Sequence, residues 1–176
     1  MKVLNLFEKH TQAPQGEAKG EVKELFPIGK ADEWQWIEGV VDSGAVDSVA
    51  HPSMCPQYPG KQSEASKAGE GYTSASGDFL PNLGEQTLPV QTADGRDTCI
   101  SYQLADVSKP LNSVSEICDS GGPDGQLVLF SKWGGTILNL DNWKKTPFER
   151  KGGIYTMGMW VRPPNDASVF TRQVAT

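Results

Sequence analysis

An all-β domain with one short helix is the fold class this sequence predicts, on three observations. Its 176 residues hold 19 glycines and 12 prolines, a surplus of turn formers. Its apolar residues fall in short aromatic or β-branched runs, many of them alternating with polar ones. Long stretches with a 3.6-residue apolar period are missing, so short strands joined by turns fit best. The length suits one domain, large enough to bury a real core.

The elements follow in order. Residues 1–33 are polar, with little periodicity across 11–30, and are expected to be a linker or pro-segment. The run Trp34-Gln35-Trp36-Ile37-Glu38-Gly39-Val40-Val41 then reads as a strand leading into Asp42-Ser43-Gly44-Ala45. A loop with Pro52, Pro56 and Pro59 follows, then a soft stretch over 62–71 rich in Ser, Ala, Glu and Gly. Tyr72-Thr73-Ser74-Ala75 and 79–83 form a strand–turn–strand unit around Ser76-Gly77-Asp78. A second unit pairs 87–91 with 98–107 around Asp94-Gly95, a strong hairpin signal. Ser113-Val114-Ser115-Glu116 has the capping-box spacing and Gly121 a stop position, which predicts a two-turn helix over 113–119. Residues 126–130 and 136–140 are strands around Gly134-Gly135, and 153–161 is the last, ended by Pro163-Pro164.

Composition excludes several classes. No apolar run approaches the roughly 20 residues of a membrane span. The start of the chain is too short in apolar residues and too polar to read as a secretory leader. Sixteen basic against 22 acidic residues give a net charge of −6, unsuited to coating nucleic acid. Three cysteines, Cys55, Cys99 and Cys118, contain no CxxC pair, so no disulfide framework is expected and a reducing, cytoplasmic compartment is. His51 and Cys55 are four apart, but Pro52 and Pro56 oppose the helix that would align them on a metal, so neither metal nor cofactor is expected. Gly-x-Ser-x-Gly is absent, and Gly69-x-Gly71 and Gly121-Gly122 open no long helix that could hold phosphate. The five tryptophans, Trp34, Trp36, Trp133, Trp143 and Trp160, are expected in the core and in strand packing rather than as a base-stacking platform.

The sharpest chemical feature is the apolar strand that delivers Asp42-Ser43-Gly44-Ala45. A strand brings the carboxylate to a sheet edge, a small hydroxyl can lock the loop, and glycine lets the chain turn beside it. This is what an acid protease asks of one carboxylate, although Asp-Ser-Gly also occurs at ordinary strand corners. The chemistry needs two such groups, close enough to share one proton, so that one activates water while the other serves as acid. A second Asp-Ser-Gly, at Asp119-Ser120-Gly121, follows a helix rather than an apolar strand and reads as a helix stop. One chain then supplies one carboxylate, and a two-fold copy must supply the other.

The order Asp42-Ser43-Gly44-Ala45, a glycine-tipped hairpin, Asp106-Val107, then Pro110-Leu111-Asn112-Ser113-Val114-Ser115-Glu116-Ile117 and Leu127-Val128-Leu129-Phe130 resembles the retropepsin-like aspartic protease domain of copia-type retrotransposon polyproteins. The likeness spans about 34–161. It implies a closed β barrel, half of an acid protease, as a core over 34–131, with a C-terminal β extension over 132–161 packed on it and a flexible tail over 162–176. It implies Asp42, Ser43 and Gly44 as catalytic, Ala45 beside the substrate backbone, and Ser74, Ala75, Ser76, Gly77 and Asp78 as a substrate-covering flap. The segment 109–117 would be the strand and helix beneath the catalytic loop. Asn112 departs from the pattern, standing where relatives carry an apolar residue. The implied activity is endopeptidase cleavage of a peptide or polyprotein by a homodimer. The alternative is an inactive domain that binds peptide or a partner chain, or a purely structural β domain.

Overall fold

The computed structural model describes residues 2–3, 33–74 and 76–166. The chain is mostly β, in keeping with its turn-rich composition, and the described residues hold two short helices rather than one.

β1 (Lys2–Val3) lies within the segment expected to be a linker, and β2 (Gln35–Asp42) follows it. Along β2, Gln35, Ile37, Gly39 and Val41 face inward while Trp36 and Glu38 face out, the two-residue period of a half-buried strand. β3 (Val49–Ala50) is only two residues long, and α1 (Glu64–Lys67) is a single turn inside the soft stretch. Ser63 and Ser66 cap α1 reciprocally, which is why so short a helix forms there. β4 (Gly71–Thr73) and β5 (Phe79–Pro81) make the first hairpin, and β1 adds to β4 in parallel as a small separate sheet.

β6 (Gly84–Thr92) and β7 (Asp97–Leu104) make the second hairpin, in register from Gly84 opposite Leu104 to Gln91 opposite Asp97. Gly95 takes the positive φ of 79° that its turn demands. β8 (Leu111–Ser113) runs directly into α2 (Val114–Asp119). Ser113 is the N-cap, and Gly121, at φ 90°, turns the chain away after the helix, so the second Asp-Ser-Gly is a helix terminus. β9 (Gln126–Phe130), β10 (Gly134–Asn139), β11 (Lys145–Lys151) and β12 (Ile154–Val161) complete the chain as an antiparallel run. Gly134 and Gly135, expected as a turn, instead open β10; the connection is 131–133.

The large sheet has the order β2-β8-β3-β7-β6-β12-β11-β10-β9, and β12 also pairs with β2. On one side Met159 of β12 is opposite Ile37, and on the other opposite Thr92. Hydrogen bonding therefore runs in a circuit through β2, β8, β3, β7, β6 and β12. β12 is thus woven into the same sheet as the strands that precede residue 131. Its Met157, Met159 and Val161 share one buried cluster with Ile37, Val41, Leu88, Val90 and Tyr102.

The tryptophans also need correcting. All five are at least 38% exposed, because their positions fall on outward faces and loops. Trp36 and Trp160 pack edge to face across β2 and β12 with ring centres 5.0 Å apart, so strand packing holds for them, on the solvent side. No helix among the described residues is long and apolar enough to cross a membrane.

Candidate functional site

Asp42 is the last residue of β2, half-buried where the strand leaves the sheet. Its Oδ1 accepts the Gly44 backbone N–H at 2.8 Å, so the turn that follows the strand orients the carboxylate. Ser43 is exposed and Ala45 buried, which points the start of the loop outward and pins its far side.

Beneath the loop, β8 threads between β2 and β3. It runs parallel to β2, with Asp42 opposite Ser113, and antiparallel to β3, with Val49 opposite Leu111. The two strands joined by the Asp42 loop are thus separated by a third, which gives the loop a hydrogen-bonded floor. Ser113, fully buried, works three ways. Its backbone N–H donates to Ser48 Oγ at 3.0 Å, its hydroxyl donates to the Ala45 carbonyl at 2.8 Å, and its Oγ caps α2. Glu116 has the capping-box position but does not close the box. Its carboxylate accepts the Ser48 N–H at 2.8 Å, tying α2 to the end of the loop.

Asn112 is accommodated rather than disruptive. It is fully buried, its Oδ1 accepts the Tyr102 hydroxyl at 2.7 Å, and Gly39 leaves it room. A Cβ on Gly39 would stand 2.5 Å from Asn112 Nδ2. The polar residue thus lies in the core between β2 and β7, not in the loop. Its Nδ2 has no hydrogen-bond partner among the described residues.

The first hairpin reaches the same loop through its base. The Tyr72 hydroxyl donates to Asp47 Oδ2 at 2.9 Å, and Tyr72 shares a buried cluster with Ala45, Val49, Ala105, Val107 and Leu111. Burial first, and the Asp47 carboxylate second, push the Tyr72 hydroxyl well above the usual tyrosine range, so it stays a donor. At the tip, Ser74, Ser76, Gly77 and Asp78 fold on themselves. Asp78 N–H donates to Ser74 Oγ at 3.0 Å, and the Ser76 hydroxyl to Asp78 Oδ2 at 2.5 Å. Ala75 lies outside the described residues. Of the expected site residues, the structure joins Asp42, Gly44 and Ala45 in one loop and the base of the hairpin to that loop.

Sequence reading missed Asp47, Ser48 and Tyr72. The one signal in the sequence is Glu116, whose capping-box spacing hides its bond to Ser48. His51 and Cys55 do not converge. His51 Nδ1 lies 2.7 Å from Ser53 Oγ and its Nε2 3.6 Å from Asp106, whereas Cys55 is fully buried, its thiol pushed up to about 12 by burial. Among the described residues no group of three or more His, Cys, Asp and Glu is placed to hold a metal.

Compared with protein-family models, with curated proteins and with solved structures, the chain finds no match in any of the three.

Proposed function

We propose that the chain is one half of a retropepsin-type aspartic endopeptidase, completed by a second copy across a two-fold axis. The observation that carries this reading is the bed of Asp42: a carboxylate at a strand end, oriented by the Gly44 N–H at 2.8 Å, over a third strand threaded beneath its loop. In this reading the hydrogen-bonded strand circuit is the closed barrel of such a half. Asp42 and its copy share one proton. One takes a proton from water as it attacks the peptide carbonyl, and the other protonates the departing nitrogen. The substrate lies extended between the Asp42 loop and the hairpin of β4 and β5, held by main-chain hydrogen bonds, with Ala45 beside it and residues 74–78 over it. Its natural substrate is the polyprotein of a copia-type element, processed in the cytoplasm.

An Asp42→Asn chain tests the reading. Removing the only carboxylate the chain contributes abolishes cleavage of an unfolded protein substrate at mildly acidic pH; cleavage at the wild-type rate overturns the assignment. Dilution gives a second arm, because activity per chain falls as a dimer dissociates, and full activity in a monomer sinks the half-site argument. An inactive peptide-binding domain predicts no cleavage by the wild type and unchanged peptide binding by Asp42→Asn.

A further inference from the structure

Past the Ser48 end of the Asp42 loop, a cavity of about 290 Å³ opens between the β6–β7 hairpin, α2 and the inner faces of β10 to β12. Ile100, Ile137, Met157 and Met159 are apolar residues of its lining. Arg96 lines it from the turn end of β7, and Ser48, bonded to Gln103 near the strand's other end, lines it with Glu116. Its volume is at the lower end of the range for small-molecule sites.

The charge at the Arg96 end is unbalanced. Arg96 Nη2 reaches across to Thr146 Oγ1 at 3.2 Å, a neutral acceptor, and its Nε is buried without a hydrogen-bond partner. Among the described residues no carboxylate pairs with it. The acidic residues beside it in sequence are engaged elsewhere: Asp97 accepts from Arg162 at 2.5 Å, and Asp94 from the Thr92 hydroxyl at 2.7 Å. A guanidinium over an apolar chamber is a binding end for an anion whose remainder is apolar. A dianion fits poorly, because among the described residues Arg96 is the one cationic side chain lining the cavity and Glu116 lines its far end. The distance from Thr98 to Ser101 along β7, about 10 Å at roughly 3.4 Å per residue, suits a medium-length chain.

We propose that this cavity is a binding site for a small amphipathic monocarboxylate, its head on Arg96 and its apolar body against Ile100, Ile137, Met157 and Met159. The site is separate from Asp42, and the inference does not rest on the aspartic-protease reading.

Octanoate and octanol, titrated in parallel into the full chain with methyl-labelled methionine followed by NMR, test it. Octanoate shifts the Met157 and Met159 methyls saturably and binds about tenfold tighter than octanol, the worth of one charge-assisted contact. Arg96→Gln lowers octanoate to the octanol level, and Ile100→Trp, which fills the chamber from a half-buried strand position, blocks both. Equal affinity of the two probes for the wild type overturns the proposal without any variant. So does octanoate that binds a folded Arg96→Gln chain undiminished, or whose shifts fall on Met54 rather than on Met157 and Met159.

Discussion

The bed of the Asp42 loop and the β9–β11 end of the sheet hold themselves together in different proportions of polar and apolar ties. Around the loop the ties are polar and directional: Ser113 to Ala45 and Ser48, Glu116 to Ser48, Tyr72 to Asp47, and Gly44 to Asp42 itself. At the other end polar ties such as that from the Tyr155 hydroxyl to the Ser131 carbonyl at 2.8 Å stand beside a cluster of rings. Phe130 packs edge to face on Tyr155 at 4.8 Å and on Phe148 at 5.4 Å, over a wall of Ile137 and Val128. Hydrogen bonds fix the position of a group, whereas apolar burial supplies stability without direction. The region that orients the Asp42 carboxylate leans on the first, and the β9–β11 end leans more on the second.

Truncating the rings is the largest expected effect. Phe148 is 5% exposed, and Phe148→Ala costs about 3–5 kcal/mol in urea unfolding, the range for large-to-small core changes. A loss below about 1 kcal/mol would mean that the ring cluster closes over the gap and is not what holds β11. Next comes Ser113→Ala, which removes a helix cap and the Ala45 tether together and costs about 1–2 kcal/mol. On the proposed aspartic-protease reading, its cleavage rate, measured where the variant remains folded, falls further than its stability accounts for. A rate that follows the folded fraction alone would make Ser113 a cap and nothing more.

Tyr72→Phe is gentler, about 1 kcal/mol, since it deletes one hydroxyl and leaves the ring in place. Hydrogen exchange sharpens the comparison here. Amides of β4 and β5 exchange faster in the variant while those of β9 to β11 are unchanged; an equal change in both would show the two regions to be one cooperative unit. The smallest effect at neutral pH is that of Cys55. Its thiol ionises in the folded chain only near pH 12, against an ordinary value of 9.0. The folded state keeps a proton that the unfolded state has lost, so this contribution is intact below about pH 9 and falls away between 9 and 12. The thermal midpoint of the wild type drops across that window, and a Cys55→Ala chain loses less there. Equal alkaline losses in the two would exclude the thiol as a cause.

Much of the strand pattern could be read directly. β2, β9, both hairpins and α2 carry their own signals: alternation, an Asp-Gly turn, and a serine three residues before a glutamate. β11 was missed because Lys145, Glu149, Arg150 and Lys151 make it look like a solvated loop and Pro147 like a breaker, yet Thr146 and Phe148 alternate inward. β3 is too short to carry any period, and it acquires its identity from its neighbours, β7 and β8. At the candidate site, Asp42, Gly44 and Ala45 were legible from one tetrapeptide. Ser48, Asp47 and Tyr72 were not, because ordinary serines, aspartates and tyrosines announce no role until a partner arrives from elsewhere in the chain.

By itself the sequence determined a mostly β chain with one carboxylate at a strand end, a glycine-tipped hairpin and a serine-capped helix. Each of these rests on interactions within a few residues, where backbone geometry and side-chain type leave little choice. Only the tertiary structure decided that β12 enters the core between β2 and β6, that β8 threads under the Asp42 loop, and that Glu116 leaves its capping box to hold Ser48. Those are pairings over tens of residues. They are selected by which buried faces and unpaired backbone groups remain once the local elements have formed.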